Sequence, residues 1–328
     1  VMGITALTTI VISVLVGCLL SVIIFVINMS RPVVRRRYWG HEGYSKRIRS
    51  AEDMDVLRQT GNRRMVLQLE GVLFFGNAEN LAGEVKELFE EADMVALDLR
   101  SITDIDVSGA NILKTLVSRS RTYGKHLLFC NVPAGQMAIV RDLFDSPEAA
   151  DAAIKPDLES TLEWMEESVL RENSNQRGHD AQLALEQTDF LDGVPAQDLE
   201  ELRGVLKLHE FKAGDAICRE GDPGDKMWLL VKGSVSVRLE VTDTRGSRRI
   251  ASLTRGTVFG EMALIEGMPR SATIVADEEV VCYELSGNDF DVLLRDKPTI
   301  ATAIMRNIAR ELARRLRRTS EDLRHATS

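Results

Sequence analysis

The residues best suited to binding chemistry lie in one short stretch, Phe259–Thr273. Gly260 permits a tight turn because it has no Cβ, and the amides that begin the following helical turn favour an anion. Arg270 offers a planar fork of donors to the same anion, and Ser271 adds a hydroxyl. A phosphate would repel Glu261, so we expect this carboxylate to accept a hydrogen bond from a sugar hydroxyl. The spacing therefore predicts a site that holds a phosphate and a ribose together, as a small cyclic nucleotide requires.

The elements around this stretch are predicted to form a small β-barrel. Glycine-bearing turns separate short apolar or alternating runs, which is typical of such a barrel. The predicted strands are Met227–Val231, Ser234–Leu239, Ile250–Leu253, Thr273–Ala276 and Val280–Leu285. A helix is predicted over Pro298–Arg318, because its apolar residues recur every four positions.

Residues 185–318 resemble the cyclic nucleotide-binding domain of bacterial catabolite activators, protein kinase regulatory subunits and gated channels. The resemblance is carried by Phe190-Leu191, Gly214-Asp215, Glu220-Gly221-Asp222, Gly233 and the whole of Phe259–Thr273. It implies that Glu261 binds the ribose 2′-hydroxyl, that Arg270 and nearby amides bind the cyclic phosphate, and that the final helix closes over the base. The predicted ligand residues are Gly260, Glu261, Met262, Ala263, Arg270 and Ser271. Ser271 is similar to the bacterial cAMP-binding version, so cAMP is the expected ligand; the alternative is a β-roll that has lost its ligand.

The N-terminal segment is predicted to cross a membrane. Residues Val1–Ser30 carry no charged side chain, and the apolar core Ile4–Ile27 would be roughly 36 Å long as a helix. Four arginines follow it closely, which places the rest of the chain on the cytoplasmic side of an inner or plasma membrane. A buried helix of a soluble protein and a signal peptide are the alternatives, and the apolar run is long for either.

The middle region, residues 65–170, is predicted to be an α/β domain. Buried strands such as Met94–Leu99 alternate with helices such as Ala78–Glu91 and Val107–Tyr123. The region resembles the STAS domain of SulP-type anion transporters and anti-sigma factor antagonists, in Leu69–Ala78 and in the residues from Leu97 to Gly109. The resemblance aligns Ser108 with the serine that antagonists phosphorylate, and a phosphate there would meet a helix dipole. The alternative is that Ser108 only caps its helix.

Composition narrows the range of functions. The net charge of −9 argues against a nucleic-acid partner, and the six arginines between 306 and 318 are expected to form a solvated helix face or to contact a partner. The four cysteines are scattered and indicate a reducing compartment. No metal-ligand spacing, Walker-type loop or pair of nucleophile and base is found in the sequence. We therefore expect no metal, no catalytic residues and no enzyme.

Together these features predict a multidomain chain. The predicted parts are a transmembrane helix (1–30), a juxtamembrane connector (31–64), a STAS domain (65–170), a linker (171–184), a β-roll cyclic nucleotide-binding domain with flanking helices (185–320) and a tail (321–328). This order resembles the end of a SulP transporter, so the chain is interpreted as its cytoplasmic regulatory region, which senses cAMP and acts through the STAS domain. The expected partners are the membrane, the transporter membrane domain and a second copy of the chain. The alternative is a membrane-anchored STAS adaptor that resembles anti-sigma factor antagonists. The chain starts with valine, and the two interpretations differ in whether it is a piece of a longer protein or a complete chain.

Overall fold

The computed structural model describes residues 12–22, 32–173, 182–241 and 246–327, and it divides the chain into two compact units. The first unit comprises Val1–Tyr44 and Arg58–Glu166. The second comprises Glu167–Ser328 together with Ser45–Leu57, a segment that the sequence analysis placed in the connector. Most of the predicted linker, residues 174–181, lies outside the described residues.

The N-terminal segment is described only over residues 12–22, which are helical and exposed and are labelled α1. The rest of the predicted transmembrane helix lies outside the described residues. Within the described residues, no helix has the length and apolar character needed to span a bilayer. The predicted membrane location is therefore wrong by this finding. The prediction rested on the apolar composition of Ile4–Ile27, whereas a membrane span also requires that about 20 consecutive residues form one helix, which composition alone does not establish.

The first unit is built on a five-stranded sheet in the order β1-β3-β4-β5-β6, in which β1 is antiparallel to β3 and the other neighbours are parallel. Its strands are β1 (Val34–Trp39), β3 (Arg64–Leu73), β4 (Met94–Ile105), β5 (His126–Cys130) and β6 (Ile154–Lys155). Its helices are α3 (Phe75–Glu91), α4 (Val107–Thr122), α5 (Met137–Arg141), α6 (Pro147–Ala153) and the first part of α7 (Leu158–Asn173). Most of α2 (Ala51–Gln59) lies in the segment Ser45–Leu57 of the second unit.

The sequence of this unit explains its layers. The first half of β4 is continuously buried, as expected for a central parallel strand that is covered on both faces. The amphipathic helices α3 and α4 place buried side chains such as Leu81, Val85 and Leu113 in the same core as the strands. The predicted α/β fold is thus confirmed.

The second unit is a β-roll of two sheets flanked by helices. One sheet has the order β2-β11-β10-β13-β8 and the other has the order β12-β9-β14-β7. Its strands are β2 (Arg47–Ile48), β7 (Lys207–Phe211), β8 (Ala216–Cys218), β9 (Lys226–Lys232), β10 (Ser234–Val241), β11 (Gly246–Thr254), β12 (Val258–Phe259), β13 (Thr273–Ala276) and β14 (Val280–Ser286). Its remaining helices are α8 (Ala196–Val205), α9 (Glu261–Glu266), α10 (Gly287–Asp296) and α11 (Pro298–Thr327).

The long final helix α11 is fixed to the roll by its apolar face. Ile300, Ile304 and Ile308 are buried in one cluster with residues of β9 and β14, as their four-residue spacing predicts. Asn307 directly precedes Ile308 in this helix. Its side-chain amide donates to the carbonyls of Phe190 and Asp192, at 3.0 and 2.8 Å. This packing holds the first half of α11 against the roll, and the basic second half of the helix continues from that fixed position.

Candidate functional site

The turn before α9 depends on a glycine for two reasons. Gly260 has a left-handed backbone conformation, with φ of 78°, which residues other than glycine rarely adopt. A Cβ at this position would also lie 2.8 Å from Nη1 of Arg270 and 3.0 Å from the Trp228 ring. Gly260 therefore allows the guanidinium and the indole to approach the backbone that starts the helix.

Arg270 is buried, with 5% of its surface exposed, and its partners are neutral. Nη1 donates to the Gly260 carbonyl at 2.9 Å and Nη2 donates to the Lys226 carbonyl at 2.6 Å. The guanidinium carbon lies 4.8 Å from the centre of the Trp228 ring, which stacks on Phe259. Among the described residues, Nε has no hydrogen-bond partner and no carboxylate forms an ion pair with this side chain. A buried cation without a counter-ion is costly, so this arrangement favours an anion.

The backbone of Arg270 is held by the loop between β8 and β9. Its amide donates to the Asp222 carbonyl at 2.8 Å, and the Gly221 amide donates to the Arg270 carbonyl at 2.9 Å. In the same loop, a Cβ on Gly224 would overlap the Met268 carbonyl and the Ala263 side chain. The loop and the stretch Phe259–Thr273 thus fit closely together and fix the direction of the arginine.

Glu261 is the first residue of α9 and is 2% exposed. Its Oε1 accepts a hydrogen bond from Nη1 of Arg315 at 2.9 Å, and Nη2 of Arg315 donates to the Val258 carbonyl at 2.6 Å. Burial raises the pKa of the Glu261 carboxyl above its usual value, and the positive charge of Arg315 partly opposes that increase. The carboxylate predicted to bind a ribose is therefore paired with a side chain from the final helix.

One cavity of about 180 Å³ connects these groups. It is lined by all six residues predicted from the sequence, and by Arg315. The other lining residues are mostly apolar and come from the roll and from β2: Ile48, Cys218, Val237, Ala251, Leu253, Phe259, Ala272 and Ile274. The cavity thus has a polar end, at the start of α9 and at Arg270, and an apolar end between the strands.

The six predicted residues differ in how they meet this cavity. Glu261, Ala263 and Arg270 are buried, whereas Met262 is 48% exposed and Ser271 is also exposed. Sequence reasoning did not identify Arg315 or Ile48. Arg315 belongs to the arginine run that was expected to face solvent or a partner, and Ile48 lies between two arginines without any periodic apolar pattern.

In the first unit, Ser108 is exposed in the first turn of α4. The helix is capped by Asp106, whose Oδ1 accepts from the Gly109 amide at 2.6 Å, so Ser108 is not the capping residue. A Cβ on Gly109 would lie 2.7 Å from the Leu73 carbonyl, so the first turn of α4 packs closely against the end of β3. Phosphorylation of Ser108 stays a prediction.

Comparison with protein families identifies two regions of the chain. Residues 208–297 match the family model described as the cyclic nucleotide-binding domain, and residues 54–143 match that of the STAS domain. The two family assignments made from the sequence are thus confirmed at the level of the domains. The membrane region of a SulP transporter is not among the matched regions.

Three curated proteins illustrate the similarity. Glutaminase 1 of Bradyrhizobium diazoefficiens is 26% identical over 288 residues, which cover 83% of this chain and 43% of that protein. The cyclic nucleotide-gated potassium channel mll3241 of Mesorhizobium japonicum is 42% identical over 103 residues, or 31% of this chain and 27% of the channel. The cAMP-dependent protein kinase regulatory subunit of Emericella nidulans is 28% identical over 166 residues, or 49% of this chain and 39% of the subunit. The chain spans less than half the length of each of these relatives.

The similarity to a glutaminase corrects the expectation that the chain is not an enzyme. That expectation considered only residues in this sequence, in which no nucleophile and base pair was found. A relative that covers most of the chain carries the name of an enzyme, so the prediction is wrong by this finding. The two regions that match family models are regulatory domains.

Proposed function

We propose that this chain is a regulatory protein region that binds cAMP in the cavity between Glu261 and Arg270. The observation that carries the proposal is the environment of Arg270: a buried guanidinium that donates to two backbone carbonyls lines a cavity beside a buried carboxylate. An anion that also carries a hydroxyl donor satisfies both groups at once. A cyclic ribose phosphate has these two features.

The cavity suggests an orientation for the ligand. The cyclic phosphate binds at Arg270, which supplies positive charge and an Nε–H without a partner in the described structure. The ribose hydroxyl donates to Glu261 at the start of α9. The base then extends toward the apolar end, which Val237 and Leu253 line. This arrangement agrees with the roles that the family resemblance implies.

We infer that binding in this orientation changes the contacts of Arg315. The ribose hydroxyl and the Arg315 guanidinium share the Glu261 carboxylate, because Arg315 already donates to its Oε1. A ligand that displaces Arg315 shifts the second half of α11 between two arrangements, provided that its affinity for the two differs. We propose that this shift of α11 is the conformational output of the nucleotide site.

The choice of cAMP is supported by the relatives as well as by Ser271. A relative that matches about half of this chain, 49%, is named as the regulatory subunit of a cAMP-dependent kinase. A relative matched at 42% identity is named as a cyclic nucleotide-gated channel, without specifying the base. The base is therefore best tested with cAMP and cGMP side by side.

The proposal is tested by calorimetric titration of the full chain with cAMP and with cGMP. We expect saturable binding of cAMP and, for Arg270→Gln, a loss of affinity of at least about 100-fold, because two charge-assisted contacts are removed. The matched control is Arg219→Gln, which makes the same change of charge at an exposed residue next to the pocket residue Cys218. Equal affinities of the two variants, or no binding of either nucleotide by the unaltered chain, would overturn the proposal.

A second candidate function is regulation of an enzyme by this chain. The similarity to Glutaminase 1 extends over 83% of the chain, far beyond either matched domain alone, while more than half of that relative lies outside the alignment. We propose that this chain regulates a catalytic region that hydrolyses glutamine, and that nucleotide binding controls this activity. Glutamate release by the full-length gene product should change when cAMP is added. Absence of glutaminase activity, with and without cAMP, would remove this candidate.

The STAS domain offers a surface for a protein partner, as the adaptor alternative requires. Phe75 and Val107 begin α3 and α4 and are 63% and 79% exposed. The preceding strand ends are paired, Leu73 with Ile105, so both side chains lie at one edge of the sheet beside Ser108. A phosphomimetic Ser108→Asp should then weaken binding to a partner, while Ser118→Asp on the same helix should not.

A further inference from the structure

A two-residue strand that is distant in sequence from the other strands of the β-roll forms part of one wall of the nucleotide cavity. Strand β2 pairs in parallel with β11, with Arg47 opposite Ser252 and Ile48 opposite Leu253. Residues that face each other on neighbouring strands point to the same side of a sheet. Leu253 lines the apolar end of the cavity, and Ile48 lines it as well. A short strand added at a sheet edge is a common way for one segment to bind another.

The segment that carries β2 is anchored at several points in the second unit. The Arg49 side chain is fully buried and pairs with Glu167 at 3.1 Å, and Arg47 pairs with the same carboxylate at 3.4 Å. The Thr254 hydroxyl donates to the Ile48 carbonyl at 3.3 Å, next to the paired strands. These contacts are formed by charged and polar groups on both sides of Ile48, so they determine its depth in the cavity.

The close fit extends to the residues that follow β2. The Ala51 amide donates to Oδ2 of Asp189 at 3.2 Å. A Cβ on Gly256 would lie 3.1 Å from the Ser50 side chain, so the segment packs closely against the turn after β11. The segment is thus fitted to the roll at each end of β2.

We propose that Ser45–Leu57 is a working part of the nucleotide site and that Ile48 is a specificity-determining residue that contacts the base. This inference rests on the proposed function. The segment is bounded in sequence by Tyr44 and Arg58, which both belong to the first unit. Bound nucleotide therefore stabilises the docked segment, and by linkage the docked segment raises nucleotide affinity. Nucleotide binding thereby changes the stability of Ser45–Leu57, the segment that precedes the predicted STAS domain in the sequence.

The first test compares two isoleucines on paired strands. Ile48→Ala should weaken cAMP binding about five- to tenfold in calorimetry of the full chain, because it removes apolar contact with the base. The matched control is Ile250→Ala on β11, because Ile250 is 40% exposed and is not among the cavity residues. We expect this control to retain the affinity of the unaltered chain.

The second test changes the ion pairs that hold β2 in place and leaves the cavity residue Ile48 unaltered. Glu167→Gln should lower cAMP affinity about threefold, because it weakens the pairing that holds Arg47 and Arg49. Glu172→Gln is the control, since Glu172 is exposed on the same helix, α7. Hydrogen exchange on the unaltered chain gives a readout that needs no variant: cAMP should slow exchange of the amides of 45–57.

The outcomes separate this inference from the proposed function. If the unaltered chain does not bind a cyclic nucleotide, both are overturned. If it binds cAMP, but Ile48→Ala binds equally well and exchange in 45–57 is unchanged, only the inference is overturned. Weaker binding by Ile48→Ala and slower exchange in the segment together support it.

Discussion

Two arginines, one in each unit, are nearly equally removed from solvent but have different partners. Arg64 in the STAS unit is 1% exposed and lies 3.8 Å from the carboxylate of Glu166, which is also buried. Arg270 in the nucleotide unit is 5% exposed and is bonded to carbonyls and an aromatic ring. The comparison shows that burial alone does not define a functional charge. A cation with a buried counter-ion stabilises the fold, whereas a cation that lines a cavity without one is suited to an anionic ligand.

The largest expected effect concerns the ligand. Arg270→Met should reduce cAMP affinity at least about 100-fold, because the cyclic phosphate loses its charged donor. It should lower the free energy of unfolding by less than Arg64→Met does, since no carboxylate is left unpaired. Calorimetry and urea unfolding of the same preparations measure both quantities. A variant that unfolds readily yet still binds cAMP tightly would reverse the assigned roles.

The largest expected effect on stability belongs to the other arginine. Arg64→Met should lower the free energy of unfolding by about 3 kcal/mol, because Glu166 is left as a buried charge without this partner. Its cAMP affinity should be that of the unaltered chain. Urea unfolding measures the change, with Arg119→Met, at an exposed position in the same unit, as the control. Equal stability of the two variants would show that the buried pair does not support the fold.

Glu261 provides an intermediate test with a pH dependence. Glu261→Gln should weaken cAMP binding about tenfold, because the ribose hydroxyl loses a charged acceptor. Burial raises the pKa of this carboxyl in the folded protein, so the folded state holds the proton more tightly than the unfolded chain does. The stability that this carboxyl contributes is therefore present at acidic pH and is lost as pH rises through the folded-state pKa.

The stability difference between the unaltered chain and Glu261→Gln should consequently change with pH. In unliganded protein, the glutamine variant should gain stability relative to the unaltered chain as pH rises from the usual range of glutamate titration toward neutrality. Urea unfolding at several pH values measures this difference. A difference that stays constant, or that changes in the opposite direction, would contradict the assigned effect of burial.

The smallest expected effect concerns the final helix. Arg315→Ala should raise cAMP affinity about threefold, because it removes a hydrogen-bond donor that competes with the ribose for Glu261. Arg317→Ala, on the exposed face of the same helix, is the control and should change nothing. Lower affinity of Arg315→Ala in calorimetry would mean that this guanidinium contacts the nucleotide instead of competing with it.

The sequence predicted elements well where local patterns are strong. The apolar strands around Met227–Val231 and Val280–Leu285 and the four-residue repeat of α11 are evident without a structure, because burial of one face imposes their periods. Strand β7 was missed because charged and apolar residues are mixed in Lys207–Phe211. Strand β12 was missed because it has only two residues and lies at the start of the Phe259–Thr273 stretch.

The candidate site shows the same division. Gly260, Glu261 and Arg270 are close in sequence, so their chemistry could be interpreted together. Arg315 and Ile48 reach the cavity through tertiary packing, from positions 54 residues after Glu261 and more than 200 residues before it. No local pattern distinguishes Arg315 from the other arginines of α11, or a two-residue strand from a connector. Only the docking of α11 and of Ser45–Leu57 on the roll identifies them.

A crystal structure of the full chain grown with cAMP tests the central claim most directly. We predict the cyclic phosphate within hydrogen-bond distance of Arg270, the ribose hydroxyl on Glu261, and Arg315 no longer bonded to that carboxylate. We also predict the base against the apolar wall that includes Ile48. A nucleotide bound elsewhere, or bound in this cavity with its phosphate away from Arg270, would contradict the account.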